Sequence, residues 1–192
     1  MIKTKFPIIL ASNSPRRKKL LHQLNLDFNV LNVEVDESLM ENEKPVHLVK
    51  RLSLEKLKKA KEKIQNGIII TADTIVVLDG KVINKPVDED DAKRILLSLS
   101  GRRHTVYTGY SVYNSSKNKT ITEYEKTYVY FRKLNKKEIE DYILSGSPMD
   151  KAGAYGIQDD FGAVFIQKIN GCYYNVVGLP LMKLYQSILR II

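Results

Sequence analysis

Two carboxylates and a pair of arginines are the residues of this chain best suited to chemistry. Asp73 interrupts an apolar, β-branched run, with Ile68–Ile70 before it and Ile75–Leu78 after it. A carboxylate there is costly unless it is paired, hydrogen-bonded or metal-bound. It can hold a divalent metal or take a proton from water, or it can mark a simple break in the strand. Glu37, in Val35-Asp36-Glu37-Ser38, is a second acid at a strand end. Alone it reads as solvated; paired in space with Asp73 it completes a hard-cation site of carboxylate and water oxygens. Ser12-Asn13-Ser14-Pro15-Arg16-Arg17 puts two guanidiniums into the first turn of an expected helix. Cations are unfavourable there, because the helix N-terminus already carries partial positive charge. A bound anion would reverse that, and free N–H groups, two guanidiniums and two hydroxyls would cradle a phosphate. The alternative is two exposed arginines on a capped helix.

Other candidates are weaker on residue type alone. Lys85 precedes Pro86 and is held extended, toward a site or toward solvent. Lys56 lies in a lysine-rich helical stretch and reads as solvated. Asp150 to Gln158 (Asp-Lys-Ala-Gly-Ala-Tyr-Gly-Ile-Gln) is rich in small residues that allow a backbone to approach a ligand closely. Gln158 offers both a donor and an acceptor, as base recognition requires. The segment is neither a Walker A motif nor a Rossmann fingerprint. His22, His47 and His104 have no metal-ligand spacing and read as surface or structural. Cys172 has no catalytic partner in the pattern and reads as packing.

These residues must be positioned by a mixture of strands and helices. Ile8–Ala11 reads as a buried strand leading into a helix capped by Ser14, with Pro15 first. Phe28–Val35 reads as a second strand. Val46–Ile64 has apolar residues at 48, 49, 52, 57, 60 and 64, which is amphipathic helical spacing. Ile68–Leu78 is the most strand-like run, and Asp79-Gly80 turns it into Lys81–Ile83. Acids at 88–91 open a helix to about Leu99. His104–Tyr113 and Thr120–Phe131 alternate and are expected to pair antiparallel. Asn135 caps a helix over Lys136–Leu144. Ala163–Ile169 and Cys172–Val177 flank Asn170-Gly171 as a further hairpin, and Pro180 opens a C-terminal helix. Repeats, low-complexity tracts and linkers are absent. The fold class expected is α/β or α+β with a mixed sheet.

Composition sets outer bounds. The chain has 192 residues, 43% hydrophobic and 28% charged, as an ordinary globular protein does. That length suits a single domain, residues 1–192. One cysteine excludes an internal disulfide framework and a Cys-only metal site. No apolar run approaches the ~20 residues of a membrane span. The first seven residues carry neither an apolar stretch nor a cleavage signal, so a cytoplasmic protein is expected. A net charge of +9 attracts anions but does not select among them. No nucleic-acid motif is recognisable and the aromatics form no visible stacking platform, which speaks against a nucleic-acid partner.

Taken together, the segments resemble the Maf family of nucleotide pyrophosphatases. The matching stretches are Leu10–Arg17, Val35–Glu37, Ala72–Thr74, Asn84–Pro86, Leu99–His104, Asp150–Gln158 and Asn175–Pro180, in the family's order over nearly the whole chain. The resemblance implies an elongated, twisted mixed sheet flanked by helices, similar to inosine-triphosphate pyrophosphatases. It implies hydrolysis of a nucleoside triphosphate to the monophosphate and pyrophosphate with Mg²⁺ or Mn²⁺, as a house-cleaning activity. Asp73 matches the proton acceptor, and Arg16, Thr74 and Gln158 match positions tied to base selection. Ser12, Arg17, Glu37, Lys56 and Lys85 match the remaining pocket residues. Glu37 and Asp73 would hold the metal. The Ala-Asp-Thr and Tyr-Gly-Ile-Gln forms resemble the dTTP/UTP subfamily; relatives that favour 7-methyl-GTP differ at both places. The family is also associated with septum formation, so a nucleotide-sensing regulator is the alternative, and a homodimer is implied. One departure is Asp159-Asp160-Phe161 before Gly162, where members usually have glycine directly after the glutamine; it bears on substrate preference.

Overall fold

The computed structural model of the protein describes residues 2, 4–158 and 161–192. The departure at Asp159-Asp160 therefore lies outside the described residues. The strands are β1 (Ile8–Ala11), β2 (Phe28–Leu31), β3 (Ile68–Leu78), β4 (Lys81–Ile83), β5 (Arg103–Asn114), β6 (Lys119–Phe131) and β7 (Ile166–Asn170). The helices are α1 (Pro15–His22), α2 (Pro45–Lys63), α3 (Glu89–Leu99), α4 (Lys136–Leu144), α5 (Tyr173–Val177) and α6 (Leu181–Ile191). The strands form one seven-stranded sheet in the order β2-β1-β3-β5-β6-β7, with β4 paired to β3. β1 runs parallel to both β2 and β3, whereas β3–β4 and β6–β7 are antiparallel. Tyr110 reaches Glu123 while Ser111 reaches Thr122, the opposed order of an antiparallel β5–β6 pair. The mixed α/β class expected from the sequence is the class observed.

The chain packs as two compact units. The first comprises Met1–Asp73, Thr108–Glu125 and Gly178–Ile192; the second comprises Thr74–Tyr107 and Lys126–Val177. In the first unit, Leu57 and Ala60 of α2 pack with Ala11, Val33, Ile69 and Tyr113. In the second, α3 and α4 cover one face of the sheet: Ile95, Leu96, Leu99, Ile139 and Tyr142 meet Val76, Leu78, Val106, Val129 and Phe131.

Local signals decide most element boundaries. Ser14 accepts a hydrogen bond from the Arg17 N–H and Pro15 opens α1. Asp88 caps α3 through the Asp91 N–H. Asn135 and Glu138 close a reciprocal capping box on α4. Two expectations need correction. β2 stops at Leu31, so Glu37 is carried by a loop and not by a strand end. The run after Gly171 is the short helix α5, and β7 pairs with β6 instead. Its Asn175 is buried and donates to the Val106 carbonyl and Thr127 Oγ1, while Thr127 Oγ1 also meets the Cys172 backbone. These tertiary bonds fix a turn of helix where β-prone side chains favour a strand.

Candidate active site

Asp73 sits inside an unbroken β3, buried at 6% exposure. Lys56 reaches it from α2, with Nζ 2.5 Å from Asp73 Oδ1 and 2.8 Å from Glu37 Oε1. The lysine side chain is 10% exposed and that of Glu37 50%, so the cluster opens outward on the Glu37 side. Lys56 thus corrects the solvated reading of the lysine-rich helix. It falls four residues after Leu52 and seven after Val49, on the stripe that α2 buries. That periodicity was the available signal.

Glu37 is positioned by its own loop and by α2. Asp36 Oδ1 accepts from the Ser38 N–H at 2.9 Å. Arg51 of α2 donates to the Ser38 carbonyl at 3.0 Å and to Glu43 at 2.7 Å, tying the loop to the helix one turn before Lys56. α2 itself lies tight on the sheet. A Cβ at Gly109 would stand 2.2 Å from the Val49 carbonyl oxygen, so only glycine permits that approach. Thr71 Oγ1 donates to the Ser53 carbonyl at 2.7 Å, and Ser53 Oγ meets Ser111 Oγ at 3.0 Å. These contacts set the depth at which Lys56 leaves the helix.

Arg17 is the second cation of the cluster. Its Nε donates to the Gly178 carbonyl at 2.9 Å and its Nη1 to Ser12 Oγ at 3.2 Å. The first turn of α1 contains no acid, and Arg16 lies beside Arg17 there. Burial pushes the Arg17 guanidinium down from its usual range, opposed by Asp73 and Glu37 and reinforced by Arg16. Burial raises the Asp73 carboxyl, against the pull of Lys56 and Arg17. A desolvated carboxylate facing two cations is a stronger base than one in water and a ready partner for a polyanion's counter-charge.

The first unit therefore brings Ser12, Arg17, Glu37, Lys56 and Asp73 together, with Arg16 adjacent. The role of the Gly178 carbonyl in holding Arg17 is not readable from residue type. Thr74, Lys85 and Gln158 belong to the second unit. Thr74 follows Asp73 on β3 and is half-buried, as is Gln158; Lys85 is exposed. The Asn84 carbonyl accepts from the Gly153 N–H at 3.4 Å, joining the Asn84–Pro86 segment to the small-residue loop. Gly153 has φ +75°, and a Cβ there would meet Val76 at 2.9 Å. His104 is buried against Tyr155 and is structural.

For a metal, the donor set fits a hard cation. Two carboxylates converge on a single cationic atom, Lys56 Nζ, from the strand and the loop. Among the described residues no cluster of three or more His, Cys, Asp or Glu forms a closed cage. Two carboxylates with phosphate and water oxygens completing the shell is the way Mg²⁺ is commonly held.

A mixed sheet carries an Asp–Lys–Glu cluster, its Asp–Lys pair buried, beside an arginine-bearing helix start, and the family follows from the sequence match. The model of the Maf-like protein family matches residues 7–191, and the chain belongs to that family. It is 50% identical over 178 residues to a dTTP/UTP pyrophosphatase of Dictyoglomus turgidum, covering 92% of both chains. It is 47% identical over 185 residues to the dTTP/UTP pyrophosphatase of Dictyoglomus thermophilum, covering 96% of this chain and 95% of that one. The corresponding Clostridioides difficile protein is 45% identical over 177 residues, covering 92% and 91%. Among solved structures, a nucleoside-triphosphatase / dITP/XTP pyrophosphatase of Mycobacterium abscessus is similar, with 13% identity, a TM-score of 0.46, and coverage of 94% and 93%.

Proposed function

We propose that this chain hydrolyses nucleoside triphosphates, dTTP and UTP foremost, to the monophosphate and pyrophosphate. The family match and the names of its relatives support the reaction. The observation that carries it to named atoms is the buried Lys56–Asp73 pair, opened to solvent through Glu37, with Arg17 beside it.

In this proposal Arg16, Arg17, Lys56 and Lys85 hold the triphosphate, and Ser12 keeps Arg17 aimed. Phosphate oxygens compete with the carboxylates for Lys56 and Arg17 and draw these cations toward the scissile bond. Asp73 accepts the proton of the attacking water; burial raises its affinity for a proton, in the direction that task requires. Mg²⁺ or Mn²⁺ held by Glu37 and Asp73 would neutralise charge developing on the phosphates. Preorganised charge of this kind supplies most of the acceleration in phosphoanhydride hydrolysis. Thr74 and Gln158 read the pyrimidine edge. The proposed setting is the cytoplasmic nucleotide pool, with modified pyrimidine nucleotides as further substrates for a house-cleaning enzyme. Light scattering tests the homodimer that the family resemblance implies.

Pyrophosphate release from UTP and dTTP, dependent on Mg²⁺ or Mn²⁺, tests the reading. Tight nucleotide binding with no release would replace it by a sensor.

A further inference from the structure

Within the second unit, α3 and α4 cover only one face of the sheet. Alternation along the strands sends His104, Val106, Val129 and Phe131 into the core. The intervening residues stand on the other face: Arg103, Thr105 and Tyr107 of β5, then Lys126, Tyr128 and Tyr130 of β6. The β6–β7 register sets Asn170 beside Tyr128 and Lys168 beside Tyr130. The three tyrosines are half-buried, and Arg103, Lys126 and Lys168 are exposed.

The rings and cations of this face are already in contact. Arg103 lies over the Tyr128 ring at 5.0 Å, Lys126 over the same ring at 5.4 Å, and Lys168 over Tyr130 at 5.7 Å. Each is within cation–π range. The strand segments 103–107, 126–131 and 166–170 contain no Asp or Glu. Along these strand segments the face is thus a tyrosine floor edged with positive charge, with no carboxylate of the segments' own.

We propose that this face binds single-stranded nucleic acid. Charge complementarity calls for a polyanion, and the rings call for one with flat, stackable groups. A second copy of the chain docked face to face would set cation against cation. Tyr128 and Tyr130 are two residues apart on one strand, roughly 7 Å, about twice the ~3.4 Å base step of a stacked strand. Only a strand whose bases can splay matches that spacing, which excludes a paired duplex. The phosphates would take Arg103, Lys126 and Lys168, and two bases would lie on Tyr128 and Tyr130. This surface is independent of the hydrolytic reading, and its occupant is a polymer, not the triphosphate substrate.

The test is fluorescence anisotropy of a labelled short oligoadenylate with the full chain, titrated between about 50 and 200 mM salt. A purine strand avoids confusion with the pyrimidine preference proposed above. Binding is expected to weaken steeply with salt. Tyr130→Ala should weaken it about fivefold or more, and Tyr130→Phe, which keeps the ring, should restore it. Lys168→Gln, at an exposed position that does not threaten the fold, should lower the log–log salt slope by about 0.7. All three variants should release pyrophosphate from UTP at the wild-type rate. The proposal is overturned by absence of binding at about 50 mM salt, or by Tyr130→Ala and Lys168→Gln binding as wild type. It is equally overturned if a blunt duplex or phosphatidylserine vesicles bind as tightly as the single strand.

Discussion

Lys56 Nζ stands 2.5 Å from Asp73 Oδ1, and both side chains are about nine-tenths buried. A pair so enclosed contributes little net stability of its own, because desolvation offsets the attraction. Breaking it is another matter. Lys56→Met leaves Asp73 in a dry site without its nearest cation. We expect a loss of about 3 kcal/mol in stability by urea unfolding. We also expect the acidic limb of the pyrophosphate-release profile to move to higher pH, because Lys56 pulls the Asp73 carboxyl down. A limb that stays in place or moves to lower pH would remove Asp73 from the role of base.

Gly109 controls the same pair from a distance. A Cβ at that position meets the Val49 carbonyl oxygen at 2.2 Å and Lys50 N at 2.8 Å, both backbone atoms of α2. Gly109→Ala must displace the helix. The expected cost is about 1–3 kcal/mol of stability, with a drop in kcat as Lys56 leaves Asp73. Wild-type turnover in a folded Gly109→Ala protein would show that the depth of α2 is unimportant.

His104 governs acid stability. Burial lowers its pKa from the ordinary 6.5 to about 3, with Nε2 held 2.7 Å from the Tyr155 hydroxyl. Between those values the unfolded chain binds a proton that the folded chain refuses, so stability rises with pH across that window and falls on acidification. From pH 7 to 5 this one group should remove about 2 kcal/mol. His104→Gln should flatten that part of the stability–pH curve, measured by denaturant melts. An unchanged curve would mean that His104 is protonated in the fold.

Gln158 is expected to sort bases. Gln158→Ala should reduce the preference for UTP over GTP in kcat/KM by about tenfold, the scale of one lost hydrogen-bond pairing. An unchanged ranking would move base selection elsewhere.

Much of the architecture was legible because it rests on short-range signals. Ser14-Pro15, Asp79-Gly80, the acids at 88–91 and Asn135 each fix an element end through bonds made within four residues. Asp73 was legible as an anomaly, a carboxylate in an apolar strand. What failed depended on distant partners. Cys172–Val177 has strand-like residues, yet Asn175 and Thr127, far apart in sequence, impose a helix. Lys56 looked solvated among its lysines until Asp73, 17 residues away, was seen to meet it. The Maf resemblance grouped Lys56 with Glu37 and Asp73, which the structure brings together, where residue type alone did not.

The most direct test of the central claim is pyrophosphate release from a panel of canonical and modified nucleoside triphosphates, with Mg²⁺, Mn²⁺ or no metal, for wild type and Asp73→Asn. Metal-dependent release from dTTP and UTP is expected, with a folded Asp73→Asn protein that has lost at least about a hundredfold of it. Release from 7-methyl-GTP in place of the pyrimidine nucleotides would keep the reaction and overturn the roles of Thr74 and Gln158. Near-normal release by Asp73→Asn would mean that Asp73 is not the base of the reaction.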